Sequence, residues 1–193
     1  MDKDRLVAFS DGVIAVIITI MVLELKAPHG AALADLAKVW PTSLSYVMSF
    51  IYIAIYWNNH HHLMHLLERV NGTILWANMH LLFWLSLVPF ATDWMGENQF
   101  APVPVAVYGV ALVMPAIAYY VLARTIIASE GKASALAKAI GDDVKGRISI
   151  LIYLIAIALA LWQPWAACAL YGLVATIWFI PDRRIEVKVQ GGA

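Results

Sequence analysis

Six apolar runs, at roughly 6–25, 40–59, 74–94, 103–128, 147–163 and 165–181, occupy most of the 193 residues. Helical runs of about 17–25 apolar residues match the thickness of a bilayer core. Within that core each backbone amide must find its partner inside the protein, and a helix does this within its own segment. The chain therefore reads as an all-α integral membrane protein, a single unit of six transmembrane helices over 1–193. Composition agrees: 62% of residues are hydrophobic and 13% charged, against about half and a quarter in soluble domains. Mean hydropathy is +0.75. Little chain is left for a soluble catalytic domain, and a net charge of zero offers no basic patch for nucleic acid.

The breaks between runs are written in turn residues. Ala27-Pro28-His29-Gly30 ends the first run, and Asn71-Gly72 separates the second from the third. Pro102 and Pro104 open the fourth, and Gln163-Pro164 makes a tight turn between two short final spans. Pro115 lies inside the fourth run, where a missing backbone donor predicts a kink. The first run is longer than a signal-peptide core, and Glu24-Leu25-Lys26-Ala27-Pro28 is a poor cleavage site, so the run reads as a retained helix. Cys168 is the one cysteine; it excludes an intrachain disulfide and reads as a small packing residue.

Lysine and arginine set the orientation. With the N-terminus inside, the cytoplasmic segments hold eleven: Lys3, Arg5, Arg69, Arg124, Lys132, Lys138, Lys145, Arg147, Arg183, Arg184 and Lys188. The outer segments hold two, Lys26 and Lys38. This bias predicts cytoplasmic N- and C-termini, which requires an even number of spans. Trp40, Trp57, Trp76, Trp94, Trp162, Trp165 and Trp178 fall near span ends, as interfacial aromatics do. Segment 129–146 reads as a polar cytoplasmic connector with helical character, in reach of anionic lipid. Asp93 and Glu97 read as a solvated outer turn.

The first run carries Arg5, Ser10 and Asp11 in its first turns. Charges at the centre of a spanning helix cost about 2.5–3.5 kcal/mol each on insertion scales and persist where they face protein or water. At 100° per residue, Val16, Ile20 and Leu23 fall within about 60° of one another, with Thr19 at the border. Asp11 lies about 140° from Val16, so the two cannot face the same way. Partners for Asp11 are concentrated in Trp57-Asn58-Asn59-His60-His61-His62 and in Asn78 and His80. On periodicity alone the Val16 stripe reads as ordinary helix packing. His61 and His65 share a helical face, but no cysteine or acidic cluster completes a metal set, so the expectation is no metal and no cofactor.

Arg5-x-x-x-Phe9-Ser10-Asp11-Gly12-Val13, with Thr19 and Leu23, resembles the first-helix signature of the transmembrane protein 175 family of potassium channels. The resemblance continues through Trp57-x-x-His60-His61, Asn78 and Leu87-Val88-Pro89-Phe90-Ala91-Thr92, and thins beyond about residue 100. It implies a homotetramer in the cell membrane that passes monovalent cations, potassium in weak preference to sodium, as a leak. It implies that the first helix lines the pore, with an apolar constriction at Val16, where the family more often has Ile or Leu, so that the narrowest ring could pass to Ile20 or Leu23; Thr19 matches the family threonine beside it. It assigns Arg5, Phe9, Ser10, Asp11, Trp57, His60, His61 and Asn78 to a structural polar network. Val107-Tyr108-Gly109 lacks the rest of a carbonyl filter. A secondary transporter using Asp11 and the histidines, a histidine-based metalloenzyme and a non-conducting scaffold remain the competing readings; the first lacks an inverted repeat.

Overall fold

The computed structural model describes residues 2–131, 133–141 and 143–179. Lys132, Arg183, Arg184, Lys188, the last two residues of the sixth expected span and the C-terminus lie outside the described residues. Among the described residues the fold is all-helical: α1 Lys3–Ile20, α2 Leu33–Ala37, α3 Trp40–His65, α4 Gly72–Ser86, α5 Val88–Glu97, α6 Pro102–Glu130, α7 Ala135–Ile140, α8 Val144–Ala160 and α9 Pro164–Phe179. Three stretches, Lys3–Glu24, Gly72–Glu97 and Pro102–Glu130, are long and apolar enough by themselves to cross a membrane, and Pro164–Phe179 is a shorter apolar helix.

Helix ends follow local chemistry. Prolines stand in the first turn of α3, α5 and α6, where an absent N–H costs nothing. Asn71 Oδ1 accepts from the Ile74 amide at 2.9 Å and caps α4, and Asp143 caps α8 through the Gly146 amide at 3.1 Å. Gly131, at φ 93°, terminates α6. The helix runs on through Pro115, which is buried.

Two departures from the expected spans have clear causes. The third is not one helix: it breaks at Leu87 between α4 and α5. Pro89 has no N–H for the Leu85 carbonyl, and the Leu87 amide turns to Trp84 O at 3.2 Å instead. The first tightens into a 3-10 segment over Met21–Glu24. There the rise is about 2.0 Å per residue, so Leu23 stands further along the axis than an α-helix would carry it.

Contacts between helix ends pair the elements at two levels. At one, Lys3 donates to His65 O (2.9 Å), the Glu68 amide donates to Glu130 (2.6 Å) and Asn71 donates to Ser129 (2.8 Å); Lys145 lies over Trp178 at 4.6 Å. At the other, Lys26 pairs with Glu97, and Trp40, Phe100 and Trp165 stack. The long elements thus run alternately up and down. Two apolar cores share α3 and α6. The first gathers α1 and α4 through Ile14, Ile17, Leu81 and Leu85; the second gathers α5, α8 and α9 through Met95, Ala156 and Val174. At Gly96 a Cβ would lie 2.8 Å from Thr42 Cα, so glycine lets α5 close on α3.

Candidate pore face and its polar anchor

The buried side of α1 (Leu6, Ser10, Ile14, Ile17) packs on α3 and α4. Between them Ser10, Asn78 and His60, all fully buried, form one chain of bonds. Ser10 Oγ donates to Leu6 O at 2.9 Å, closing on its own helix one turn back. Asn78 Nδ2 donates to Ser10 Oγ at 2.9 Å. That donation fixes the amide orientation, so Asn78 Oδ1 faces His60 Nε2 at 2.8 Å, and His60 carries its proton on Nε2. Its Nδ1 is buried without a hydrogen-bond partner. A second tie holds the neighbouring residue: Trp57 Nε1 donates to Asp11 Oδ1 at 3.0 Å. Two adjacent residues of α1 are thereby bound to α4 and α3 respectively.

Of the residues assigned to this network from sequence, Ser10, Asp11, Trp57, His60 and Asn78 are brought into it. His61 is reached only by ring packing, on Trp57 and His62. Arg5 and Phe9 are not brought to it; both are exposed on the opposite face. His80 points away from α1 and accepts from Trp84 Nε1 at 2.8 Å.

Val16, Thr19, Ile20 and Leu23 lie together along the exposed side of α1. Val16 is 57%, Ile20 41% and Leu23 74% exposed in the subunit. Thr19 Oγ1 donates to Val16 O at 3.0 Å, which leaves its oxygen able to accept. Their stripe is longer than expected. Arg5, Phe9, Gly12, Val16, Thr19 and Leu23 are all exposed and follow one another at spacings of four and three. That is a 3.5-residue repeat, the pattern of helices that associate along a seam. The spacing is legible in the sequence and would have placed Arg5 and Phe9 correctly.

Sequence reasoning missed a second polar line. Ser45, Ser49, Tyr52, Tyr56 and Asn59 recur at spacings of four and three on the other side of α3 and point into the subunit. Ser49 Oγ is 2.6 Å from Thr92 Oγ1 and 2.9 Å from the Tyr108 hydroxyl. Tyr52 donates to Tyr171 O. These bonds join α3 to α5, α6 and α9 where apolar contact alone would not fix rotation.

The comparisons with known proteins agree with this geometry. A family model described as "Endosomal/lysosomal potassium channel TMEM175" matches residues 5–89, the stretch that holds α1 from Arg5 onward, the anchor and the Leu87 break. A potassium channel of Chryseobacterium sp. (strain P1-3) is 56% identical over 190 residues, 98% of this chain and 99% of that one. The chain belongs to the TMEM175 family. A potassium channel of Streptomyces collinus (strain DSM 40733 / Tue 365) is 33% identical over 63% of each chain. The crystal structure of a lysosomal potassium-selective channel TMEM175 homolog from Chamaesiphon minutus superposes with a TM-score of 0.81 at 28% identity, covering 93% of this chain and 97% of that one. The TMEM175 family is one of ion channels, which sets the enzyme reading aside at that level.

Proposed function

We propose that this TMEM175 homologue is a potassium channel of leak type, a homotetramer in the cell membrane with one pore on its symmetry axis. The observation that carries the reading is the exposed stripe of α1 backed by a buried polar anchor. A membrane helix with an apolar face and no cover in its own subunit meets either lipid or other copies. A pore wall must be fixed in rotation, because that decides which side chains meet at the axis, and the anchor on α1 fixes it. One helix cannot enclose a pore, whereas copies in closed cyclic symmetry can.

In this reading Val16, Ile20 and Leu23 form stacked apolar rings and Thr19 offers hydroxyls between them. Val16 and Ile20 stand roughly 6 Å apart along the axis; the 3-10 segment puts Leu23 about 6 Å beyond Ile20. Rings of this kind gate by dewetting. Selectivity for potassium over sodium is weak, since no carbonyl filter is part of the arrangement. Potassium is the permeant species and no cofactor takes part. The polar anchor sets helix rotation and does not touch the ion. Six crossings with both termini cytoplasmic agree with the alternation of helix ends and with the basic bias of the loops.

The test is conductance in reconstituted bilayers. Val16→Ala, Ile20→Asn and Leu23→Asn should raise current and bring potassium and sodium permeabilities closer together. If all three leave both unchanged while equivalent changes on Val103 and Val110 of α6 alter them, the pore is elsewhere.

A further inference from the structure

His80 sits on a face of α4 that its own subunit leaves uncovered. Trp76, Met79, His80 and Phe83 are all exposed there. The Trp84 indole donates to His80 Nε2 at 2.8 Å, so the neutral imidazole carries its proton on Nδ1. That Nδ1–H has no acceptor among the described residues. At 1.5 Å per residue, His80 stands roughly 12 Å from the start of α4. The neighbouring α3, 26 residues long, overreaches a hydrocarbon core about 30 Å thick by about one turn at each end. His80 therefore lies inside the core, where lipid tails accept no hydrogen bond and water is absent. Its donor needs a protein acceptor from outside the subunit.

The outer face of α3 offers one. It runs through Val47 and Ile51, both exposed, and then Ala54 and Asn58, both half-buried. The Asn58 amide makes no hydrogen bond among the described residues. Depth decides whether the two groups can meet. The end of α3 at His65 and the start of α4 at Gly72 lie at one level of the fold. Rotation about an axis normal to the membrane leaves depth unchanged. Asn58 stands roughly 10 Å from that level, against roughly 12 Å for His80. One turn further in, Phe83 and Ala54 both stand roughly 16 Å from it. A bulky ring on one face thus matches the smallest side chain on the other, as close helix contact in membranes requires. Since α3 and α4 both pack on α1, each stands at a shoulder of the pore helix.

We propose, resting on the homotetramer proposed above, that α4 of one subunit docks on α3 of the next copy. His80 Nδ1–H donates to Asn58 Oδ1 of the partner subunit, and Phe83 packs over Ala54 of the partner subunit. The two faces differ, so the contact is heterologous, and repeated around the axis it closes the ring. It completes a polar group that one subunit leaves unsatisfied.

The experiment is oxidative cross-linking in native membranes in a Cys168→Ala background. Ala54→Cys combined with Phe83→Cys should give a ladder of disulfide-linked species up to the tetramer, and either change alone should give none. Cross-linking by Phe83→Cys alone would put like faces together and overturn the proposal. No cross-link in a protein that is tetrameric by native mass spectrometry would overturn this interface and leave the tetramer standing; a monomer would overturn both. The hydrogen bond is read from dissociation of the tetramer on dilution in detergent. His80→Leu and Asn58→Leu should each weaken association at least about fivefold, and the double variant should be no weaker than the weaker single one. Independent, multiplying effects would overturn the His80–Asn58 bond.

Discussion

Asn78 shows how much one side chain can decide. Its amide nitrogen serves Ser10 and its oxygen serves His60, so its replacement strands two buried groups at once. Each stranded group costs about 1–3 kcal/mol. Asn78→Leu, close in volume but without either function, should therefore lower subunit stability by about 2–5 kcal/mol, read as a shift in the midpoint of denaturant-induced unfolding in detergent. His80→Leu, two residues on and facing away, should move the same midpoint by less than half as much. Equal effects would mean that Asn78 is not the centre of the anchor. The sequence shows half of this asymmetry. It offers Asn78 and His80 alike, since a helix advances about 200° in two residues and the sequence alone does not say which of two faces meets α1.

Among the elements, α1 is held at both of its ends and in the middle. Lys3 reaches His65 O, Ser10 and Asp11 tie to α4 and α3, and beyond the 3-10 segment Lys26 pairs with Glu97 at the end of α5. The last contact is exposed, and the Glu97 carboxylate, by its hydrogen bond and its charge, raises the Lys26 ammonium above its ordinary value of 10.5. A folded-state value above the unfolded one stabilises the fold at pH below 10.5, and that contribution is lost as pH rises through the raised value. Titration of Lys26 by NMR should therefore give a midpoint above 10.5, and Glu97→Gln should bring it down toward 10.5. A midpoint unmoved by Glu97→Gln would separate the end of α1 from α5. The break at Leu87 also belongs to this scale. It lets α5 turn its Gly96 face onto α3 without bending α4 away from α1; Pro89 is its signal in the sequence, which the expected single span over 74–94 passes over.

For the whole molecule, the alternation of helix ends makes a prediction about sidedness. In a Cys168→Ala background, a single cysteine at Asn98 should react with a membrane-impermeant thiol reagent added outside intact cells. One at Ser129 should react only after the membrane is opened. The reverse pattern would invert the orientation, and reaction of both from outside would overturn the even number of crossings. Native mass spectrometry of the same proteins should give a mass four times that of the subunit. A monomer that conducts would remove the axial pore and leave the α1 stripe facing lipid.

The sequence by itself determined that the chain is helical and membrane-bound, where its long apolar segments lie, and to which family it belongs. These depend on local quantities: run length, turn residues, loop charge and a motif carried on one helix. It also determined that Ser10 and Asp11 need partners, because buried polar groups are costly unless bonded. Tertiary structure alone decided which partners they have. Trp57 is taken by Asp11, Asn78 by Ser10, His60 by Asn78 and His80 by Trp84, although all four are in reach of the motif by composition. It also turned Asn59, one residue before His60, away from α1, where it is buried and its amide donates to Ile55 O at 2.8 Å. The physical reason is rotation. Adjacent residues of a helix point about 100° apart, and only the packing of α3 against its neighbouring helices fixes which of them faces the first helix and which faces the interior.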